Sequence, residues 1–235
     1  MKNEKMINQL TLGVSLKDDA TFDNFFPGKN THLVKALNSA AEGIGEQVIY
    51  FYGNGGQGCT HLLQAVCHEA NLQQRTAVYI PLGNIHDLTP EILEGLENLQ
   101  LVCIDDLQKI VGKKTWEEAF FHLYNRIIDS GARLIVTANV SPKSLGLHLP
   151  DVVSRLVWGI VFQMQPLTDE EKLEVLTMRA ERRGMMLTEE VGKFILNHCP
   201  RHMSTLFAAL DALDKISLAA QRKLTIPFVK TVLQI

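Results

Sequence analysis

The chain has 235 residues, enough for one large domain or a body with a small satellite, and its 46% hydrophobic and 21% charged residues describe an ordinary soluble protein. A formal net charge of −3 gives no global pull toward nucleic acid or an anionic membrane. Cys59, Cys67, Cys103 and Cys199 have no paired spacing, and no apolar stretch forms a signal core or reaches membrane-spanning length, so a reduced, cytoplasmic setting is expected rather than a disulfide framework or a bilayer.

In chain order, the first strong signal is the apolar run Val48-Ile49-Tyr50-Phe51-Tyr52, then Gly53-Asn54-Gly55-Gly56-Gln57-Gly58-Cys59-Thr60, then the helical pattern of His61, Leu62, Leu63, Ala65 and Val66. A strand feeding a glycine-rich turn that opens a helix is the context in which such a turn cradles phosphate. Successive backbone N–H groups curl around the oxygens where no Cβ intervenes. Cys59 stands where this loop normally carries lysine. The thiol reads either as a passive filler or as a redox switch.

Four further apolar runs predict strands, Ala77 to Ile80, Leu101 to Ile104, Leu134 to Thr137 and Ile160 to Phe162, each separated from the next by helical patterns. That alternation predicts a parallel sheet covered on both faces, an α/β fold. Asp105 and Asp106 end the third run. Beside a phosphate loop, Asp105 is expected to hold Mg²⁺ together with the Thr60 hydroxyl, and Asp106 to orient water; the bland alternative is a solvated strand end. Thr115 and Glu118 are spaced as a capping box ahead of Trp116, Phe120, Phe121, Tyr124, Ile127 and Ile128, a helix that Gly131 ends and whose aromatics read as core.

After Pro166 no strand signal recurs. Thr168 and Glu171 form a second capping box on a helix running to Gly184, Thr188 caps another that Pro200 stops, Leu206, Leu210, Leu213 and Ile216 stripe a third, and Pro227 starts a fourth. The division expected is an N-terminal segment 1–19, an α/β nucleotide-binding body 20–165 and a helical lid 166–235. His198, Cys199 and His202 lack a second ligand pair and read as a helix end, while Arg182-Arg183 and Gln221-Arg222-Lys223 read as solvated faces.

Losing the lysine has a chemical consequence. The loop amides and helix dipole still serve the inner phosphates, but a neutral thiol cannot replace a charge-assisted hydrogen bond worth about 1.5–3 kcal/mol at the outer ones. The loop is therefore expected to hold ADP or another nucleoside diphosphate and to hydrolyse triphosphate poorly or not at all.

Several stretches carry a resemblance: Thr21-Phe22-Asp23-Asn24-Phe25 with Gly28-Lys29-Asn30, Thr60-His61-Leu62-Leu63, Ile104-Asp105-Asp106-Leu107-Gln108, Phe120-Phe121-His122, Ser154-Arg155-Leu156 before Trp158-Gly159, and Leu224-Thr225-Ile226. From about residue 20 onward the chain resembles the AAA+ P-loop module of the bacterial replication initiator DnaA. It stops where the initiator continues into its DNA-binding domain, and so is similar to the DnaA-related regulators of initiation. The resemblance implies an ADP-bound negative regulator, tethered to the DNA polymerase sliding clamp (its beta subunit), that stimulates hydrolysis of DnaA-bound ATP. It adds Asn24, Phe25 and His61 to the nucleotide site, puts Asn139 in the first sensor place, and puts Ser204 where the lid sensor arginine belongs, with Arg201 one turn earlier.

The resemblance also assigns Arg155 as an arginine finger acting in trans; by itself it reads as a surface arginine in an intramolecular pair. Gln9-Leu10-Thr11-Leu12 resembles a clamp-binding peptide, with Gln9, Leu10 and Leu12 as contacts, though Gly13-Val14 replaces the usual bulky ending; the alternative is a strand fragment. A second copy of the chain is an allowed partner, DNA is reached only indirectly, and no membrane is involved. Competing functions are an autonomous AAA+ ATPase, which Cys59 and Ser204 argue against, and a factor that recruits or loads DnaA.

Overall fold

The computed structural model describes residue 16, residues 20–220 and residues 223–235, without the side chains of Ala219 and Ala220. The clamp-like Gln9, Leu10 and Leu12, and Gln221 and Arg222, lie outside the described residues. Five strands, β1 (Val48–Tyr52), β2 (Ala77–Pro81), β3 (Leu101–Asp105), β4 (Arg133–Ala138) and β5 (Ile160–Gln163), form one parallel sheet in the order β2-β3-β4-β1-β5. The expected strands are all present. Because β3, β4 and β1 are neighbours, the segments leaving their carboxyl ends meet at one edge, where open parallel sheets place their ligands.

Side chains alternate across the strands and feed two cores. Tyr50, Val102, Ile104, Leu134 and Val136 pack with Phe120, Leu123 and Ile127 of α3 (Lys114–Ser130) and Leu156 of α4 (Pro150–Trp158). Ile49, Phe51, Leu101, Cys103 and Ile135 pack on the other face with Leu33 and Leu37 of α1 (Thr31–Glu42) and Leu62, Leu63 and Val66 of α2 (Cys59–Leu72). Burial on both faces explains why the strands read as unbroken apolar runs.

Two local expectations need correction. α3 begins at Lys114 with Lys113 as its uncapped start, so Thr115 lies inside the first turn and makes no capping box. Glu118 instead pairs with Lys114 at 3.8 Å, and Glu117 turns back to accept the Gly112 N–H at 2.9 Å and the His148 N–H at 2.7 Å. Burial opposes the Glu117 charge, but hydrogen bonds from the His148 ring and from the Gly112 and His148 amides hold its carboxyl below the usual range. The second correction is in the lid, where Leu206, Leu210 and Leu213 are buried but Ile216 is 43% exposed and leaves the stripe.

The lid helices are α5 (Asp169–Arg182), α6 (Glu189–His198), α7 (Met203–Ala220) and α8 (Ile226–Leu233). Leu176, Ile195, Leu206, Leu210 and Val229 build their common core. The reciprocal box at α5 is formed, with Thr168 Oγ1 accepting the Glu171 N–H at 3.2 Å and Glu171 Oε2 accepting the Thr168 N–H at 2.7 Å. Thr188 and Thr225 cap α6 and α8.

Asn30 fastens the chain leading into the lid. Its amide donates to the Gln165 carbonyl at 3.0 Å and its Oδ1 accepts the Gln165 N–H at 2.7 Å, with the residue only 5% exposed. Replacing Asn30 with alanine strands both backbone groups, each worth about 1–3 kcal/mol when left unsatisfied and buried. Asn30→Ala should lower the unfolding free energy by about 2 kcal/mol or more, read from the urea midpoint at unchanged slope; an unmoved midpoint contradicts this role.

Candidate nucleotide site

The glycine-rich turn leaves β1 with its first N–H already committed: Gly53 donates to the Ala138 carbonyl at 3.2 Å, tying the loop to the end of β4. Gln57 Oε1 accepts the Asn54 N–H at 2.8 Å and folds the loop on itself. Gly58 then turns the chain into α2 with φ +93°, a conformation open to glycine, and its carbonyl accepts the first helical N–H from Leu62 at 2.9 Å. A Cβ there would also stand 2.8 Å from a ring carbon of Phe25, so the N-terminal motif packs against the loop's back. Phe25 meets the His61 ring at 5.7 Å, and His61 Nε2 lies 2.9 Å from the Thr21 carbonyl. The structure thus gathers Phe25, the loop and His61 in one place.

The acids lie behind the loop. Asp105 is 3% exposed; Tyr79 donates its phenol to Oδ2 at 2.8 Å, and the Thr137 hydroxyl donates to Oδ1. Thr137 Oγ1 also accepts the Asp106 N–H at 3.1 Å. Asp106 sits at φ +61°, an uncommon conformation for a side-chain-bearing residue, and its Oδ1 accepts from Gln108 Nε2 at 2.8 Å. Gln108 Oε1 in turn accepts the Asn139 N–H at 3.3 Å, linking the two strand ends that carry Asp106 and Asn139. Tyr79, Thr137 and Gln108 organise this network without having been singled out for it in the sequence; the one signal was a phenol and a hydroxyl inside otherwise apolar runs.

Burial first, then the negative charges of Asp105 and Asp106, push the Cys59 thiol up to about 12. A thiol so shifted is neutral near pH 7, which favours the passive filler over a reactive thiolate. The Tyr79 phenol is raised for the same reasons, burial leading and Asp105 next. Thr60 is exposed in the first turn of α2.

The lid reaches the loop at Gly56. A Cβ on that residue would stand 3.6 Å from His202 Cβ and 3.8 Å from Ser204 Oγ. Arg201 turns elsewhere, pairing with Asp169 at 2.6 Å, so it does not take the lid sensor's place. His198 stacks on Phe194 at 4.0 Å. Arg182 and Arg183 are not simply solvated: Arg182 donates to the Asp23 carbonyl at 2.7 Å, and Arg183 pairs with Asp211. Between these elements lies a cavity of about 200 Å³ bordered by Asn24, Phe26, Met178, Arg179 and Phe207.

Arg155 lies on α4. Its guanidinium sits 4.6 Å above the Phe121 ring and 5.9 Å from that of Tyr124, whose hydroxyl donates to the Arg155 carbonyl at 2.9 Å. Phe121 is therefore half-buried platform as much as core. Among the described residues Arg155 has no carboxylate partner, so the intramolecular ion pair that the sequence allowed is not formed.

No helix among the described residues is long and apolar enough to cross a membrane. Residues 16–163 match the model of the bacterial DnaA ATPase domain, and residues 169–233 match that of the Hda lid domain. Domain III of the Thermotoga maritima DnaA superposes with a TM-score of 0.81 at 24% identity, covering 94% of this chain and 98% of that one. AMPPCP-bound DnaA from Aquifex aeolicus gives 0.75 at 23% identity over 87% of this chain and 67% of that one. The Thermotoga maritima RuvB branch migration motor shares the fold more distantly, at a TM-score of 0.70 and 16% identity over 92% and 71% of the two chains. With a DnaA-type ATPase body running into an Hda-type lid, the chain belongs to the DnaA-related AAA+ family.

Proposed function

We propose that the chain is a negative regulator of replication initiation that holds ADP, or another nucleoside diphosphate, and lends Arg155 to ATP bound on DnaA. The observation that carries this reading is the pairing of a phosphate loop having a neutral thiol at Cys59 with a guanidinium, Arg155, that no acid of the described chain engages. The loop amides and the N-terminus of α2 bind the inner phosphates. Phe25 and His61, packed beside the loop, would wall the nucleotide together with Asn24, and Asn139 and Ser204 would approach it from β4's end and from the lid.

Asp105 suits Mg²⁺ held through water: both its oxygens already accept hydrogen bonds from neutral hydroxyls, and no protein ammonium competes for it among the described residues. Thr60 would supply the second ligand, and the ion would screen phosphate charge. Asp106, braced by Gln108, would orient water only where a triphosphate is held, which the missing ammonium disfavours.

The Phe121 face holds Arg155 lightly, since a cation–π contact at a half-exposed site is worth about 0.5–1 kcal/mol and yields readily to a phosphate. Delivered to a neighbour, the guanidinium stabilises charge on the transferring phosphoryl group. Gln9, Leu10 and Leu12 would tether the chain to the sliding clamp, and the 20–165 body and 166–235 lid would act as one module. An autonomous ATPase or a DnaA-loading factor is the alternative, and the following measurements separate them.

Arg155→Ala should cut stimulation of DnaA-bound ATP hydrolysis by about 10³-fold or more, with ADP affinity and melting temperature unchanged. Equal turnover with this variant removes the finger from the account, and a parallel loss of ADP binding marks Arg155 as a folding residue. Cys59→Lys should raise ATP affinity by about tenfold to a hundredfold, measured by calorimetry, because the ammonium would find both a phosphate and Asp105. No gain would mean that the thiol position does not limit triphosphate binding.

A further inference from the structure

The loop lacks its lysine, the lid position expected to hold arginine is Ser204, and Arg201 is engaged with Asp169 at 2.6 Å. One basic side chain nevertheless lies against the loop. His202 Nδ1 is 3.7 Å from the point where a Cβ on Gly56 would stand, with the Ser204 hydroxyl beside it at 3.8 Å. Gly56 has φ +81° and no side chain, so the loop presents bare backbone to the imidazole.

The His202 carbonyl accepts the Leu206 N–H at 3.0 Å, which places the residue at the opening of α7 with its ring outside the helix. The ring is exposed, and among the described residues it forms no hydrogen bond, ion pair or ring contact of its own. It also contributes nothing to the lid core, which is built from Leu206, Leu210 and Leu213 on the same helix. An imidazole always carries at least one N–H donor, and two when protonated, so it can bond a phosphate oxygen in either state.

We propose that His202, with the Ser204 hydroxyl, contacts the terminal phosphate of a nucleoside diphosphate held by the loop, supplying from the lid a donor that Cys59 does not supply from the body. This rests on the nucleotide-binding reading of the loop and adds to it a residue that fastens the lid onto bound ligand. The contact reaches the terminal phosphate, so it distinguishes a diphosphate from a monophosphate.

The test is calorimetric titration of the full chain with ADP and with AMP. His202→Ala removes every side-chain donor that could reach a phosphate. It should weaken ADP binding by about tenfold and leave AMP binding unchanged, and His202→Arg should restore ADP affinity or exceed it. The proposal is overturned if His202→Ala binds ADP as tightly as the unaltered chain, or loses ADP and AMP to the same extent. If the unaltered chain binds neither nucleotide, the reading of the loop itself falls, and this proposal with it.

Discussion

Asp105 is a carboxylate enclosed at the end of β3 with two hydroxyls, from Tyr79 and Thr137, and no cation among the described residues. Burying a charge is tolerable when hydrogen bonds replace water, and β2 and β4 each contribute one from the flanking strand. That arrangement fixes a negative charge behind the phosphate loop. In a loop with lysine, an ammonium would stand between that carboxylate and the outer phosphates. Here that position carries the thiol of Cys59, which burial and then the same acids keep protonated. The effect runs both ways: the acids suppress the thiolate, and the neutral thiol leaves the acids uncompensated toward a ligand.

The consequence is graded along the ligand. Inner phosphates meet backbone N–H groups and the start of α2, which the substitution leaves intact. Under the proposed function, outer phosphates would meet Asp105, Asp106 and whatever the lid brings. Each added phosphate charge raises the demand for positive groups, so under the proposed function a diphosphate would suit this cradle better than a triphosphate or its transition state. The Arg155 guanidinium, proposed above to serve a neighbour's nucleotide, stands on α4, resting on Phe121 and free of acid partners within the described chain.

Much of this was legible in the sequence because the sheet is buried on both faces. Runs such as Leu101 to Ile104 need no partner to be recognised, and Gly58 and Thr168 carry their own local geometry. What escaped were interactions between distant segments. Thr115 and Glu118 have capping spacing, yet Glu117 finds the amides of Gly112 and His148 and draws the helix start forward. Tyr79, Thr137 and Gln108 become a network only once β2, β3 and β4 lie side by side. Arg201, one turn from the lid sensor's place, is taken by the first turn of α5, and His202 comes to the loop instead.

The most direct test of the central claim is the ratio of ADP to ATP affinity of the unaltered chain in Mg²⁺, measured with steady-state hydrolysis on the same preparation. A cradle short of positive charge predicts tighter binding of ADP by about tenfold or more, with no appreciable turnover by the chain alone. Equal or tighter binding of ATP, accompanied by steady hydrolysis without a partner, would contradict it.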